Sequence, residues 1–243
     1  MKFYDEIKEK FINIIKDNNL DINEEVILTK KLTPKEAIGN PDRDDYPILK
    51  GKEVLLNSNY KGFIGQAYTD NPKDFKGTLK DILDLDLSLE DNLPVFIATL
   101  NAVLRSLNLI SGTIHCKDDE PKECAKKIFN EMKKIYKGKN IALIGLQPGI
   151  LNALSKEFNV RVLDLNDKNI GEKKCNVVVE HGIYDFDDVV NWADVLLATG
   201  STSCNGTITN ILKVNKPIYF YGTSISGIAY IMLYQILMYH KNK

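Results

Sequence analysis

The chain has 243 residues, of which 44% are apolar and 27% are charged, as is ordinary for a globular protein with a sizeable core. Its 32 basic and 33 acidic residues give a net charge of −1, which argues against nucleic acid or an anionic membrane as the main partner. The N-terminus lacks the apolar core of a signal peptide, and the apolar run 227–239 is too short to span a bilayer. Four irregularly spaced cysteines do not indicate a disulfide framework, so we expect a reducing, cytoplasmic setting.

The first half of the chain has the mixed pattern of an α+β region. Apolar residues at helical spacing predict helices at 3–17, 75–85 and 93–107, and another from Pro121 to about residue 136. Residues 25–32 predict a strand, and the runs 54–56 and 63–68 predict a hairpin that turns at Gly62. Residues 33–47 contain Gly39-Asn40-Pro41 and Tyr46-Pro47, so we expect a loop there.

The pattern changes after Lys137-Gly138-Lys139-Asn140, where we place the boundary between domains 1–137 and 138–243. Short apolar strands then alternate with helical or loop segments, and this alternation predicts a doubly wound, mostly parallel sheet. The expected fold class is therefore α/β, with an α+β domain in front. The predicted strands are 141–144, 160–165, 177–179, 195–198 and 218–221, and a predicted helix at 150–158 follows the first of them.

The most polar loop of the chain follows the predicted strand 195–198. Five of the eight residues from 200 to 207 are Ser, Thr or Asn, and apolar residues then recur at helical spacing to Val214. Ligands bind beyond the carboxyl ends of parallel strands, and the N–H groups of such a loop suit an anionic group. Helix capping by Ser203 or Asn205 is the alternative, but capping needs only one such residue. The ligand-binding residues expected here are Gly200, Ser201, Thr202, Asn205, Gly206 and Thr207.

A second loop follows the predicted strand 141–144, and Asp164 lies near the end of the next strand. A strand, a glycine turn, a helix and a later acid form the outline of a dinucleotide site. The spacing is G-x-x-x-G, and Pro148 has no amide hydrogen to donate, so an ordinary turn with a solvated Asp164 is the favoured interpretation. Because Gln147 can still face a cleft, the expected ligand-binding residues also include Gly145, Gln147, Pro148, Gly149 and Asp164.

Soft metal ligands are concentrated between residues 115 and 124. The imidazole of His115 and the thiols of Cys116 and Cys124 suit Zn, Fe, Ni or Cu. Cys124 falls in the first turn of a predicted helix, where the pKa of a thiol is lowered. However, C-x7-C is not a standard zinc spacing and a further ligand is needed elsewhere, so a packed Cys124 is the alternative. His115, Cys116 and Cys124 are the candidate ligands of a transition metal whose identity the sequence does not specify.

Several of these segments resemble one known family. Residues 193–208, A-D-V-L-L-A-T-G-S-T-S-C-N-G-T-I, are similar to the T-G-S-T-x-x-N-G-T signature of the DUF364 family, and residues 141–145 resemble its first strand. Cys204 departs from the apolar residue expected at that position of the family. The N-terminal half resembles the companion DUF4213 domain at residues 62–70, 75–79, 97–105 and 115–125.

This resemblance implies an enolase N-terminal-like α+β domain followed by a Rossmann-like domain, with a ligand site in the cleft between them. It also implies heavy-metal chelation or the handling of a metal-containing cofactor. Enolase chemistry is not carried over, because the catalytic residues of enolase belong to a barrel domain that this chain lacks.

The expected function is the binding of a transition metal, or of a small anionic molecule that chelates one. The alternative is an enzyme of cofactor metabolism that binds a nucleotide or an S-adenosylmethionine-like ligand, with Asp164 on the ribose hydroxyls. A third hypothesis is a homodimer formed through an apolar C-terminal helix that carries Ile228, Ile231, Met232, Gln235 and Ile236. No protease, kinase or hydrolase pattern is present, so the sequence assigns no catalytic residue.

Overall fold

The computed structural model describes residues 2–29 and 32–237, and it contains two β-sheets with helices packed on them. The first sheet is antiparallel, with the strand order β3-β2-β1-β4. Its region consists of α1 (Lys2–Asp17), β1 (Glu25–Thr29), α2 (Pro34–Ile38), α3 (Pro47–Lys50), β2 (Val54–Tyr60), β3 (Phe63–Thr69), β4 (Phe75–Thr78), α4 (Leu79–Leu83) and α5 (Leu93–Ser106).

The second sheet has the order β10-β9-β5-β6-β8-β7, and its strands run parallel to one another except the short edge strand β7, which is antiparallel to β8. This confirms a mixed α/β chain with one mostly parallel sheet. Its elements are α6 (Glu120–Tyr136), β5 (Asn140–Ile144), α7 (Pro148–Leu154), β6 (Asn159–Asp164), β7 (Lys173–Lys174), β8 (Val177–His181), α8 (Phe186–Trp192), β9 (Val195–Thr199), α9 (Ile208–Ile211), β10 (Ile218–Tyr221) and α10 (Ser226–Met232).

The order of the strands creates a switch point in the second sheet. From β5 the chain moves to β6 and β8 on one side, and it later returns to β9 and β10 on the other side. In open α/β sheets the ligand crevice lies outside the carboxyl ends of the strands at such a point. The two loops that leave β5 and β9 therefore meet where a ligand is expected.

The two sheets pack on one continuous core. α5 is buried from Leu93 to Leu104, as is expected for a helix that is apolar on all sides. The same buried cluster contains Phe11 of α1, Ile144 of β5 and Leu196 of β9. Asn101 of α5 is fully buried and donates hydrogen bonds to the carbonyls of Gln66 (3.0 Å) and Thr223 (3.1 Å). The residues around the two sheets are thus fixed against each other, while a domain boundary between residues 137 and 138 stays a prediction.

Two expectations about the first half were wrong in detail. The segment 33–47, expected as a loop, contains α2, which begins with a capping box between Thr33 and Glu36. The helix expected at 75–85 is instead β4 followed by α4, because residues 75–78 pair with β1 and the side chain of Thr78 caps the helix. In both places a local cap decided the structure, and the apolar periodicity did not reveal it.

The second half also differs in its helix bounds. The helix expected at 150–158 is α7, which begins earlier because Gln147 caps the N–H of Ile150 and Pro148 fits the first turn. The helical spacing after Thr207 yields only the four residues of α9. The edge strand β7 was not expected.

The C-terminal helix expected to carry the homodimer face is interrupted. α10 ends at Met232 because Leu233 adopts a left-handed conformation with φ of 58°. The chain then runs beside β10, where the N–H of Phe220 donates to Gln235 and the N–H of Leu237 donates to Phe220. Gln235 and Ile236 therefore do not share a helix with Ile228, which is itself fully buried.

None of the helices in the described part of the chain combines the length and the apolar character that a membrane crossing requires.

Candidate functional site

A cavity of about 130 Å³ lies where the segments around the first sheet meet the carboxyl edge of the second sheet. We call it the inner cavity. It brings together residues of both halves of the chain, including all three candidate metal ligands and part of both switch-point loops. Its polar and sulfur-containing lining residues are Tyr46, Glu53, Tyr68, His115, Cys116, Cys124, Gln147, Asp164, Thr199, Ser201, Tyr221 and Thr223.

His115 is held in the cavity wall by its backbone and by a neighbouring ring. Its N–H donates to Oε1 of the buried Gln66 at 2.6 Å, and its imidazole lies edge-on to the ring of Tyr68 at 5.6 Å. Burial lowers the pKa of His115 to about 4, against a smaller opposite effect of the nearby backbone of Cys116 and Ala37. The imidazole is therefore neutral at pH 7, which is the form that binds metals.

Cys116 and Cys124 lie close enough for their thiols to share a hydrogen bond. Cys116 is in the loop before α6, and Cys124 lies one turn inside that helix. The hydrogen bond to Cys124 and burial both raise the pKa of the Cys116 thiol above its usual range. Within residues 2–29 and 32–237, no three His, Cys, Asp or Glu side chains are arranged as a ready metal site.

Three buried polar atoms of the inner cavity have no hydrogen-bond partner in the part of the chain that is described. They are Oη of Tyr46, Nδ1 of His115 and Oγ1 of Thr223. Tyr46 is only 3% exposed and Thr223 only 4% exposed. An unsatisfied buried polar group costs about 1–3 kcal/mol, so their convergence on one cavity points to a polar ligand.

The loop after β5 is shaped by close contacts. Gly145 has a φ of 88°, and a Cβ there would lie 2.4 Å from Cγ2 of Thr199. A Cβ on Gly149 would lie 3.3 Å from Oη of Tyr46. Gln147 lines the cavity as expected, although its Oε1 is used to cap α7. Pro148 and Gly149 are buried behind this loop.

Asp164 supports the same loop. One carboxylate oxygen accepts from the N–H of Leu146 at 2.8 Å, and the other accepts from the N–H of Asn166 at 2.8 Å and from Nδ2 of Asn169 at 3.2 Å. Both oxygens therefore accept hydrogen bonds from the chain. The ordinary turn favoured from the sequence would instead leave Asp164 to bind solvent.

The loop after β9 uses its hydroxyls locally. Thr202 donates to the carbonyl of Thr199, Ser203 donates to that of Gly200, and Thr207 donates to Oδ1 of Asn205. These bonds explain the excess of small polar residues as turn stabilisation. Gly200 is packed against Ile225 and Gly206 has a φ of 77°, so both glycines serve the backbone of the loop.

A second, larger space lies beside the inner cavity along the carboxyl edge of the second sheet. We call this space, of about 660 Å³, the outer groove. Ser201, Thr202, Asn205 and Thr207 of the expected binding loop line it. The inner cavity and the outer groove share five wall residues, Glu53, Gly145, Asp164, Thr199 and Ser201.

Sequence reasoning missed several residues of this wall. In the sequence, Tyr46 belongs only to the Tyr46-Pro47 pair that predicts a loop. Glu53, Tyr221 and Thr223 belong to no recognisable binding motif. Burial, with Asp164 and Asp70 nearby, raises the pKa of Glu53 to about 7. Tyr221 donates to the carbonyl of Gly145 at 2.8 Å and so fixes the loop after β5. Tyr46 directly precedes Pro47, the first residue of α3, and this position before a helix is the local feature that could have drawn attention to Tyr46.

A known family model matches the second half of the chain. Residues 128–233 match the DUF364 family model, which is described as "Putative heavy-metal chelation". No curated protein matches the chain significantly.

Two solved structures are similar along most of the chain. One is a DUF364-family protein of unknown function from Pyrococcus horikoshii, at 16% identity and a TM-score of 0.55, with coverage of 90% of this chain and 78% of that one. The other is a DUF364-family protein of unknown function from Desulfitobacterium hafniense DCB-2, at 12% identity and a TM-score of 0.56, with coverage of 94% and 82%. At these identities the likeness concerns the fold, and the chain carries a segment that matches the DUF364 model within that fold.

Proposed function

We propose that this chain binds a transition-metal ion in the inner cavity, through His115, Cys116 and Cys124. The observation that carries the proposal is the presence of a neutral imidazole with an unpartnered Nδ1 and two adjacent thiols in the wall of one small cavity. The description "Putative heavy-metal chelation" of the DUF364 model supports metal binding in general, while its match at residues 128–233 lies outside the three proposed ligands.

The chemistry of the donors fits a soft or borderline cation. Thiolates and imidazole suit Zn, Cu, Ni and Fe better than Mg or Ca. Binding of a cation through both sulfurs would release the proton of each thiol to solvent, and the metal–thiolate bonds would offset the raised pKa of Cys116. Because the three side chains are not yet arranged around one point, binding needs side-chain rotation and leaves coordination positions to other ligands.

The switch-point loops are the second part of the proposed site. Gly145, Gln147 and Asp164 on one loop, and Ser201, Thr202, Asn205 and Thr207 on the other, line the two spaces. Pro148, Gly149, Gly200 and Gly206 would act through the backbone shape of these loops. We further propose an enolase N-terminal-like domain of the DUF4213 type at 1–137, a Rossmann-like domain at 138–243, and a reducing compartment that keeps the cysteines free.

The nucleotide alternative has less support. It requires the Asp164 carboxylate to accept ribose hydroxyls, but both of its oxygens already accept hydrogen bonds from the chain. Thermal melting in the presence of ATP, NAD or S-adenosylmethionine tests this alternative, since a ligand at 100 times its Kd adds about 2.7 kcal/mol of stability. A shift that Asp164→Ala abolishes would favour the enzyme.

Titration with Co²⁺ under anaerobic, reducing conditions tests the metal site. A thiolate bound to Co²⁺ gives a charge-transfer absorption, which we expect in the wild type and not in Cys116→Ser/Cys124→Ser. Cys175→Ser is the matched control, because Cys175 is a free thiol that does not line the inner cavity. A spectrum that is the same in the double variant, with native circular dichroism, would contradict the proposal.

A further inference from the structure

The outer groove combines two kinds of wall along the same edge of the sheet. One side is apolar and open to solvent, with Leu165 45% exposed and Ile183 65% exposed, next to the half-buried Phe186. The opposite side carries the polar residues Asn205 and Thr207. Exposed aliphatic side chains that line a concave surface are typical of ligand-binding sites, whereas single exposed ones on a convex surface are ordinary.

The loop that presents Ile183 has a defined conformation. Nδ1 of His181 accepts from the N–H of Ile183 at 3.1 Å and from that of Tyr184 at 3.4 Å. The backbone of Gly182 lies against Leu165, because a Cβ on Gly182 would be 2.9 Å from Cδ2 of Leu165. The two exposed aliphatic side chains therefore stand on neighbouring strand ends as one apolar rim.

The charges of the groove favour a cation near the inner cavity. The shared wall carries the carboxyls of Glu53 and Asp164, whereas Asp187, Lys213 and Lys216 line only the groove. Nζ of Lys216 donates to the carbonyls of Val190 and Asn191, near the C-terminal end of α8, so its charge is used to cap that helix. The acidic end of the groove thus adjoins the inner cavity that contains the sulfur and imidazole donors.

From these features we propose that the outer groove binds a small organic chelator with an apolar body and uncharged donor atoms, such as aromatic nitrogens, so that the metal is held between protein and chelator. The apolar rim suits the body, and the carboxyls of the shared wall disfavour an anionic chelator. This inference rests on the proposed metal site in the inner cavity. The inner cavity, at about 130 Å³, has room for an ion and a few small ligands, whereas the groove, at about 660 Å³, is within the usual size range of ligand sites. The chelator fills the coordination positions that the three protein donors leave open.

The test compares two probes by calorimetry on the untagged full chain: Co²⁺ alone, and the 1:1 complex of Co²⁺ with 1,10-phenanthroline. We expect the complex to bind at least tenfold more tightly than Co²⁺ alone. In Leu165→Ser/Ile183→Ser this gain should disappear while the affinity for Co²⁺ alone is unchanged. Ile135→Ser is the matched control, because Ile135 is 55% exposed on α6 and lines neither space.

Each other outcome decides between the two proposals. Binding of Co²⁺ without any gain for the complex would overturn the chelator site and leave the metal site. A gain that persists in Leu165→Ser/Ile183→Ser would overturn its placement in the groove. The absence of Co²⁺ binding in the wild type would overturn the proposed function, and the chelator proposal with it.

Discussion

The side chain of Gln66 holds the backbone of His115 in place: Oε1 of Gln66 accepts the His115 N–H at 2.6 Å, and Nε2 donates to Oδ1 of Asn57 at 2.7 Å. Gln66 is 2% exposed and belongs to β3, so the segment that carries the candidate metal ligands is anchored to the first sheet. Its backbone N–H also donates to the carbonyl of Thr113.

Replacement of Gln66 tests this anchoring. Gln66→Leu removes one hydrogen bond each from the half-buried His115 and Asn57, and we expect a loss of about 1–3 kcal/mol in the free energy of unfolding. Metal affinity should fall as well, because His115 is no longer positioned. Urea denaturation measures the first effect and Co²⁺ titration the second. Gln66→Glu keeps one acceptor oxygen, so an affinity equal to that of Gln66→Leu would count against a positioning role.

Gly145, in the loop after β5, lies against Thr199 at the end of β9. Gly145→Ala introduces strain at a φ of 88° and a contact of 2.4 Å with Cγ2 of Thr199, which together should cost about 2–4 kcal/mol. Thr199→Ser removes Cγ2, so the double variant should regain the contact part of this loss. Gly138→Ala is the control, since Gly138 has a φ of 74° but nothing within 4 Å of a Cβ. Equal losses in Gly145→Ala and Gly138→Ala would show that the contact has no role.

We expect Asp164 to stabilise the folded chain through the hydrogen bonds that its carboxylate accepts. Asp164→Ala removes the acceptor of the Leu146, Asn166 and Asn169 hydrogen bonds, and we expect a loss of about 1–3 kcal/mol. Asp167→Ala, an exposed carboxylate three residues later, should change stability little. The measurement is thermal unfolding with and without adenine nucleotides. An unchanged stability in Asp164→Ala, with a nucleotide-induced shift lost, would favour the enzyme alternative.

Glu53 should make stability depend on pH. Its pKa is raised from 4.5 to about 7, so the folded protein keeps a proton that the unfolded chain releases in that interval. Stability therefore falls as pH rises from 4.5 to 7, and Glu53→Gln removes this loss. Glu53 is exposed as a whole residue, although its carboxyl is crowded by the wall of the two spaces. Because solvent still reaches this residue, we expect a gain of only about 1 kcal/mol at pH 8. Glu172→Gln, at an exposed carboxyl outside the two spaces, is the control. A gain that is equal at pH 4 and pH 8 would contradict this account.

The sequence predicted the elements whose apolar pattern is long or regular. α1, α5 and the five main strands of the parallel sheet were expected within a few residues, because burial of one face dictates their periodicity. It did not predict α2 or the start of α4, where capping by Thr33 and Thr78 overrides the pattern. It also did not reveal that the chain after Leu233 runs beside β10, since this pairing depends on distant residues.

The candidate site was predictable only in part. His115, Cys116 and Cys124 could be chosen by their chemistry, and the two loops could be chosen by their position after strands. Whether these groups lie together depends on how the two halves of the chain pack, and no local pattern encodes that packing. For the same reason Tyr46, Glu53 and Thr223, which are distant in sequence, could not be assigned to the site.

Elemental analysis by mass spectrometry is the most direct test of the metal site. Untagged protein, purified anaerobically, is dialysed to equilibrium against Zn²⁺, Co²⁺ or Ni²⁺ and compared with His115→Gln/Cys116→Ser/Cys124→Ser. We expect close to one ion per wild-type chain for at least one metal, and almost none in a triple variant that keeps its native circular dichroism. An equal metal content in the two folded proteins, or no metal in either, would contradict a site formed by these three residues.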